Sequence, residues 1–194
     1  MAGEPQGANA SVLKVLRDSL VWLWEHYGEF RFFTERDVVW TMQRRFLDTI
    51  KQQGLPFSVF SDFPIQPGAR RALSADLAIL RPNERVAVAL EFKYEPDHRR
   101  GHGSEREIWP TKLSPSVVFW GAEGVLKDIE RIRQWVSDGR TEAGFTIFID
   151  EGGLFRNREP HPGAEWFDIQ SGGNRGRRIS VLLSAAGANV ADIV

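Results

Sequence analysis

Apolar residues recur along the chain first at helical spacing and then at strand spacing. Leu13, Leu16, Leu20 and Leu23 fall on one face of a first helix that Ser11 caps and Gly28 stops. Trp22 and Trp24 widen that face as packing aromatics. A second helix opens at Thr34, with Asp37 in the place of a capping-box acid, and carries Val39, Met42, Phe46 and Ile50 to a stop at Gly54. A third covers about 123–137 on Val125, Ile129, Ile132 and Val136, with Lys127, Asp128, Glu130, Arg131 and Arg133 on its remaining surface.

Strand patterns fill the middle and the end. Phe57, Val59, Phe60, Phe63 and Ile65 predict a strand over 57–65, and a hairpin follows with strands at 73–80 and 85–95. Its linker is Arg81, Pro82, Asn83 and Glu84, in which Pro presets the second turn position and Asn tolerates the third. A loop of two residues or of four gives one register: Ile79 opposite Val86, Leu77 opposite Val88, Ala75 opposite Leu90 and Leu73 opposite Phe92. The other face then carries Asp76 across from Ala89 and diagonal to Glu91, with Lys93 one step beyond. Diagonal partners lie roughly 7–8 Å apart, a gap that two carboxylates close on a shared cation. A slip of one residue would send Asp76 to the opposite face from Glu91 and Lys93. Residues 116–120 read as a short strand or an extended lead into the third helix, 144–150 as a strand buried on both faces, and 166–169 and 179–183 as short strands.

Composition narrows the class. The chain has 194 residues, 42% of them hydrophobic, with no Cys and a formal charge of -1. That length supports one core, so 1–10 reads as a disordered lead-in and 11–194 as a single domain. Disulfides and Cys-held metals are excluded, a cytoplasmic location is expected, and no apolar run approaches the roughly 20 residues of a membrane helix. Near-neutral charge confines any nucleic-acid contact to local patches.

The sequence Glu91, Phe92, Lys93 on the third strand, Asp76 on the second, and the order α-β-β-β-α-β over about 34–150 resemble the PD-(D/E)XK nuclease superfamily, whose fold is restriction-endonuclease-like. The resemblance implies an α/β protein with a central mixed sheet flanked by helices, here with an extra N-terminal helix and C-terminal strands. It implies a metal-dependent hydrolase of phosphodiester bonds, with DNA ahead of RNA as substrate. Asp76 and Glu91 would hold Mg2+, or Mn2+ as a substitute, with the backbone carbonyl of Phe92 as third ligand. Lys93 would act electrostatically on the phosphate or the attacking water, and Glu35, by its place before the sheet, would be an auxiliary acid. From position alone Glu35 reads as a residue that favours the positive helix start.

The residue before Asp76 is Ala75 where the family's motif has Pro. His98 and His102 sit four apart in a charged, Gly-containing stretch and read as solvated residues more readily than as metal ligands. Arg175, Arg177 and Arg178 read equally as phosphate contacts and as an Arg-rich hairpin tip. A homodimer is open, since cutting a duplex takes two sites and Trp22, Trp24 or Trp40 would supply contact area. The competing reading is a nucleic-acid- or protein-binding module that keeps the fold and does not cut.

Overall fold

Thr34 and Asp37 form the capping box that their spacing predicts, with Asp37 Oδ2 accepting the Thr34 N–H at 2.9 Å. That box starts the helix carrying Glu35, and the chain around it is described, in a computed structural model, over residues 7–68, 71–97, 118–119, 124–172 and 178–194. The elements are α1 (Gly7–His26), a 3-10 turn (Tyr27–Glu29), α2 (Glu35–Gln52), β1 (Ser58–Gln66), β2 (Leu73–Leu80) and β3 (Val86–Glu95). They continue as α3 (Val125–Ser137), β4 (Thr141–Asp150), β5 (Ala164–Gln170), β6 (Arg178–Ala186) and a 3-10 turn (Val190–Asp192). The protein is α/β, with one six-stranded open mixed sheet in the order β1-β2-β3-β4-β6-β5. Among the described strands only β3 and β4 run parallel, and α3 belongs to the long crossover that a parallel pair requires.

α1 and α2 cover one face. Leu16, Leu20, Leu23, Met42 and Phe46 pack there with Leu77, Ile79, Val88, Leu90 and Phe92. α3 covers the other, with Ile132 and Trp135 on Ala75 and Ala89, and Val125 and Ile129 among Phe119, Phe148, Phe155 and Leu182. Small residues bring α3 close to the sheet. A Cβ on Gly144 would stand 2.7 Å from Ile132 Cγ2. Gly144→Val is therefore expected to overpack this contact and cost about 1–3 kcal/mol in stability, read as a lower midpoint in urea unfolding; an unchanged midpoint would show that α3 is not held at contact distance.

Several boundaries differ from the sequence reading. α1 begins at Gly7, so Ser11 lies inside it instead of capping it, and 7–10 are helical. Ala8 and Ala10, the best helix formers, extend the helix backwards by a turn. Residues 1–6 lie outside the described residues. Val118 and Phe119 are helical and not extended; 116, 117 and 120 lie outside the description. Val136 is only partly buried, and Trp135 takes the core position instead.

The β2–β3 register is also corrected. Ile79 pairs with Val88 and Leu77 with Leu90, each two residues further along β3 than expected. Two single insertions produce the offset. Glu84 enters the turn with φ 64° after the Glu84 N–H to Arg81 carbonyl bond, a three-residue loop closed by a left-handed residue. A second irregularity follows between Ile79 and Leu80, where Leu80 faces Val86 and Ala87 is extra. Either insertion alone would reverse the faces of β3; together they restore them. Beyond the pair Leu77–Leu90 the two strands no longer continue a regular ladder. Ala75 joins the α3 side, and Leu73 is 39% exposed and pairs with Gln66, so it does not meet Phe92.

Among the described residues no helix is long and apolar enough to cross a membrane.

Candidate active site

The break in the β2–β3 ladder creates the site. Asp76 Oδ2 accepts the Phe92 N–H at 2.7 Å, so a side chain occupies the place where strand pairing would have continued. In a strand the N–H and C=O of one residue face the same neighbour. The Phe92 carbonyl is therefore directed to the Asp76 side, while its ring lies in the α1/α2 core.

Glu91 and Lys93 flank Phe92 and lie on the opposite face, beneath α3. Glu91 is 1% exposed, and its Oε2 meets Arg131 Nη2 at 2.6 Å. Arg131 Nη2 also donates to Asp128 Oδ1 at 2.7 Å, one turn back on α3. Lys93 Nζ lies 3.2 Å from Asp128 Oδ2 and 3.1 Å from Glu35 Oε2 at the first turn of α2. Four elements thus place four carboxylates and two cations in one cluster, with Asp76 close enough to Glu91, Lys93, Glu35 and Asp128 to feel their charges. Glu35, Asp76, Glu91 and Lys93 are brought together as the sequence expects.

The electrostatics follow from burial and from the charge imbalance. Loss of hydration raises the pKa of Glu35 against the opposing pull of Lys93, and raises that of Asp76 despite the Phe92 N–H. Glu91 is pushed well above the ordinary carboxylate range, by burial first and by Asp76 next, with Arg131 opposing. Burial pulls Lys93 down, but the carboxylates of Asp128 and Glu35 outweigh it and hold the ammonium above its ordinary value. With all six groups ionised, four negative charges face two positive ones. Among the described residues two negative charges then remain uncancelled, in a site where Glu91 and Asp128 are 1% and 2% exposed.

A hard divalent cation suits this donor set. Glu91 Oε1 is buried with no hydrogen-bond partner among the described residues, and Asp128 Oδ2 meets Lys93 as an ion pair without hydrogen-bond geometry. Asp76, Glu91 Oε1 and the Phe92 carbonyl offer the all-oxygen ligands that Mg2+ takes alongside its own waters. No group of three or more Asp, Glu or His side chains stands at metal-holding spacing among the described residues.

No family model, curated protein or solved structure matches the chain.

Asp128 and Arg131 are the residues that sequence reasoning passed over as surface decoration. Asp128 occupies the apolar stripe, three residues after Val125 and one before Ile129, and an acid in that stripe is buried with a partner or not at all. That position is the signal that could have found it. Arg131 follows at the one-turn spacing that pairs side chains on a helix.

The remaining candidates stand apart. Arg178 on β6 is exposed and paired with Asp168 on the neighbouring edge strand β5, which also takes Arg156 at 3.6 Å. Arg175 and Arg177 lie outside the described residues, as do His98 and His102. Asp150 serves the fold, its carboxylate accepting the N–H groups of Leu154 at 3.0 Å and Phe155 at 2.6 Å to shape the turn after β4.

Proposed function

We propose that this chain is a metal-dependent nuclease of the PD-(D/E)XK type, with a restriction-endonuclease-like core, that hydrolyses phosphodiester bonds of nucleic acid, DNA before RNA. The observation that carries the reading is four carboxylates, Glu35, Asp76, Glu91 and Asp128, gathered with two described cations, a set whose ionised form one Mg2+ or Mn2+ would stabilise. A bound divalent ion would polarise a phosphoryl oxygen and lower the pKa of a water. Asp76 and Glu91 supply the ligand charges, and the Phe92 amide fixes the Asp76 carboxylate. Lys93, fully protonated at neutral pH, presents its ammonium beside that pair and stabilises charge that gathers on phosphate. Glu35 and Asp128 hold Lys93 from either side, and Glu35, the more exposed of the two, is the auxiliary acid nearer solvent. Phosphodiesters of nucleic acid and a Cys-free chain both suit a reducing cytoplasm.

One observation favours the second reading, a nucleic-acid- or protein-binding module that does not cut. Arg131 already neutralises one oxygen of Glu91 at 2.6 Å, as in a structural ion pair. Incubation with supercoiled, linear and single-stranded DNA and with RNA, in Mg2+, Mn2+ or EDTA, separates the two. The wild type is expected to cut only with the metal, and Asp76→Ala, Glu91→Ala and Lys93→Ala to lose cutting. Intact substrate with the wild type would establish the second reading, and cutting that survives all three substitutions would place the activity elsewhere.

A further inference from the structure

α2 carries Glu35 into the site on one side and an exposed row of cationic and apolar residues on the other. Arg36, Trp40, Arg44, Leu47 and Lys51 follow one another at intervals of three or four residues and all are exposed. Successive members stand roughly 5–6 Å apart along the axis. Trp40 is 56% exposed, the highest value among the described large hydrophobic residues, and the Arg36 guanidinium lies over its ring at 5.9 Å from the centroid. Leu47, one further turn along, is 45% exposed. One acid, the exposed Asp48, flanks the row four residues after Arg44, which leaves three cations against one acid along it.

We infer that this row binds a single strand of nucleic acid, with phosphates on Arg36, Arg44 and Lys51 and an unpaired base stacked on Trp40. Resting on the nuclease reading for its ligand class, it adds a preference for single-stranded or frayed substrate beside the site. Cations interleaved with an exposed aromatic match a charged backbone with π-faced bases. A second copy of the chain matches poorly, because a two-fold contact through this row would set its cations against one another. Trp40 is more than half exposed and is not among the residues packed on the described core, so its replacement is expected to leave the fold intact.

The test is fluorescence anisotropy with a labelled oligothymidylate in EDTA, where cutting cannot interfere. Trp40→Ala is expected to weaken binding about tenfold without changing the melting temperature, and Trp40→Phe to retain most of it. An abasic strand should bind the wild type as weakly as the intact strand binds Trp40→Ala. Arg36→Gln with Arg44→Gln should lower the slope of log affinity against log salt by about 1.4. Wild-type affinity in Trp40→Ala would overturn the inference, as would no binding by the wild type, or a dimer in sedimentation that Trp40→Ala dissociates. Metal-dependent cutting with Trp40-independent binding would sink this surface alone, whereas Trp40-dependent binding without cutting would sink the nuclease reading alone.

Discussion

Lys93→Met is expected to lower the unfolding free energy at pH 7 by about 3 kcal/mol, the low end for breaking a buried ion pair. The low end applies because the Lys93 side chain keeps 22% exposure. For a chain of this size that is a fall of roughly 6–12 °C in Tm. The loss arises because Asp128, 2% exposed on its side chain, and Glu35 would face Asp76 and Glu91 with Arg131 as the one remaining cation of the cluster. Lys93 contributes most when it is protonated and its partners are ionised. Its raised pKa keeps the first condition satisfied at every pH below the ordinary lysine value, and its contribution disappears only as pH rises through the folded value. The second condition fails on the acid side, where the raised pKa of Glu35 lets it take up a proton above the usual carboxylate range. Urea unfolding of both proteins at pH 7 and pH 5 should therefore show the difference narrowing at pH 5. A difference below about 1 kcal/mol at pH 7, the level of an exposed pair, would mean that Lys93 is not a structural part of the cluster.

How much of this was legible in the sequence depends on the kind of interaction that fixes each residue. The capping box at Thr34 and the stripe Val39, Met42, Phe46, Ile50 are local patterns, and both stand in the structure where spacing puts them. Because the ladder ends at Leu77–Leu90 and Ala75 turns to the α3 side, only the nearness of Asp76 to Glu91 on adjacent strands was legible. The register itself was not. It depended on Glu84 adopting a left-handed conformation, uncommon for a residue with a side chain, and on an extra residue at Ala87, and no periodicity marks either. Asp128 was hidden for a different reason. Its place in the apolar stripe and Arg131 one turn on are local signals, but its other partner, Lys93, lies on a strand far away in sequence, and only tertiary packing brings that cation to it. The edge position of β1 explains Phe60, which is 45% exposed where an apolar run suggests burial.

Addition of Mg2+ or Mn2+ at about 100 times its dissociation constant is expected to stabilise the protein at pH 8 by about 2.7 kcal/mol, or roughly 5–11 °C in Tm, and to do far less at pH 5. The sign follows from the three raised carboxylates. Glu35, Asp76 and Glu91 hold protons in the folded state at pH values where the unfolded chain has released them, so the metal-free protein loses stability as pH rises towards their folded values. Above those values the cluster bears its full surplus of negative charge and a cation gains most; below them protons compete for the same oxygens. Asp76→Asn separates this from general salt effects. The amide oxygen can still accept the Phe92 N–H while one negative charge is removed. The variant without metal should therefore be at least as stable as the wild type at pH 8, yet gain almost nothing from the ion. Differential scanning fluorimetry of both proteins with EDTA, Mg2+ and Mn2+ at the two pH values reads each part. An equal rise in wild type and Asp76→Asn, or a rise at pH 5 as large as at pH 8, would show that these carboxylates do not hold the cation.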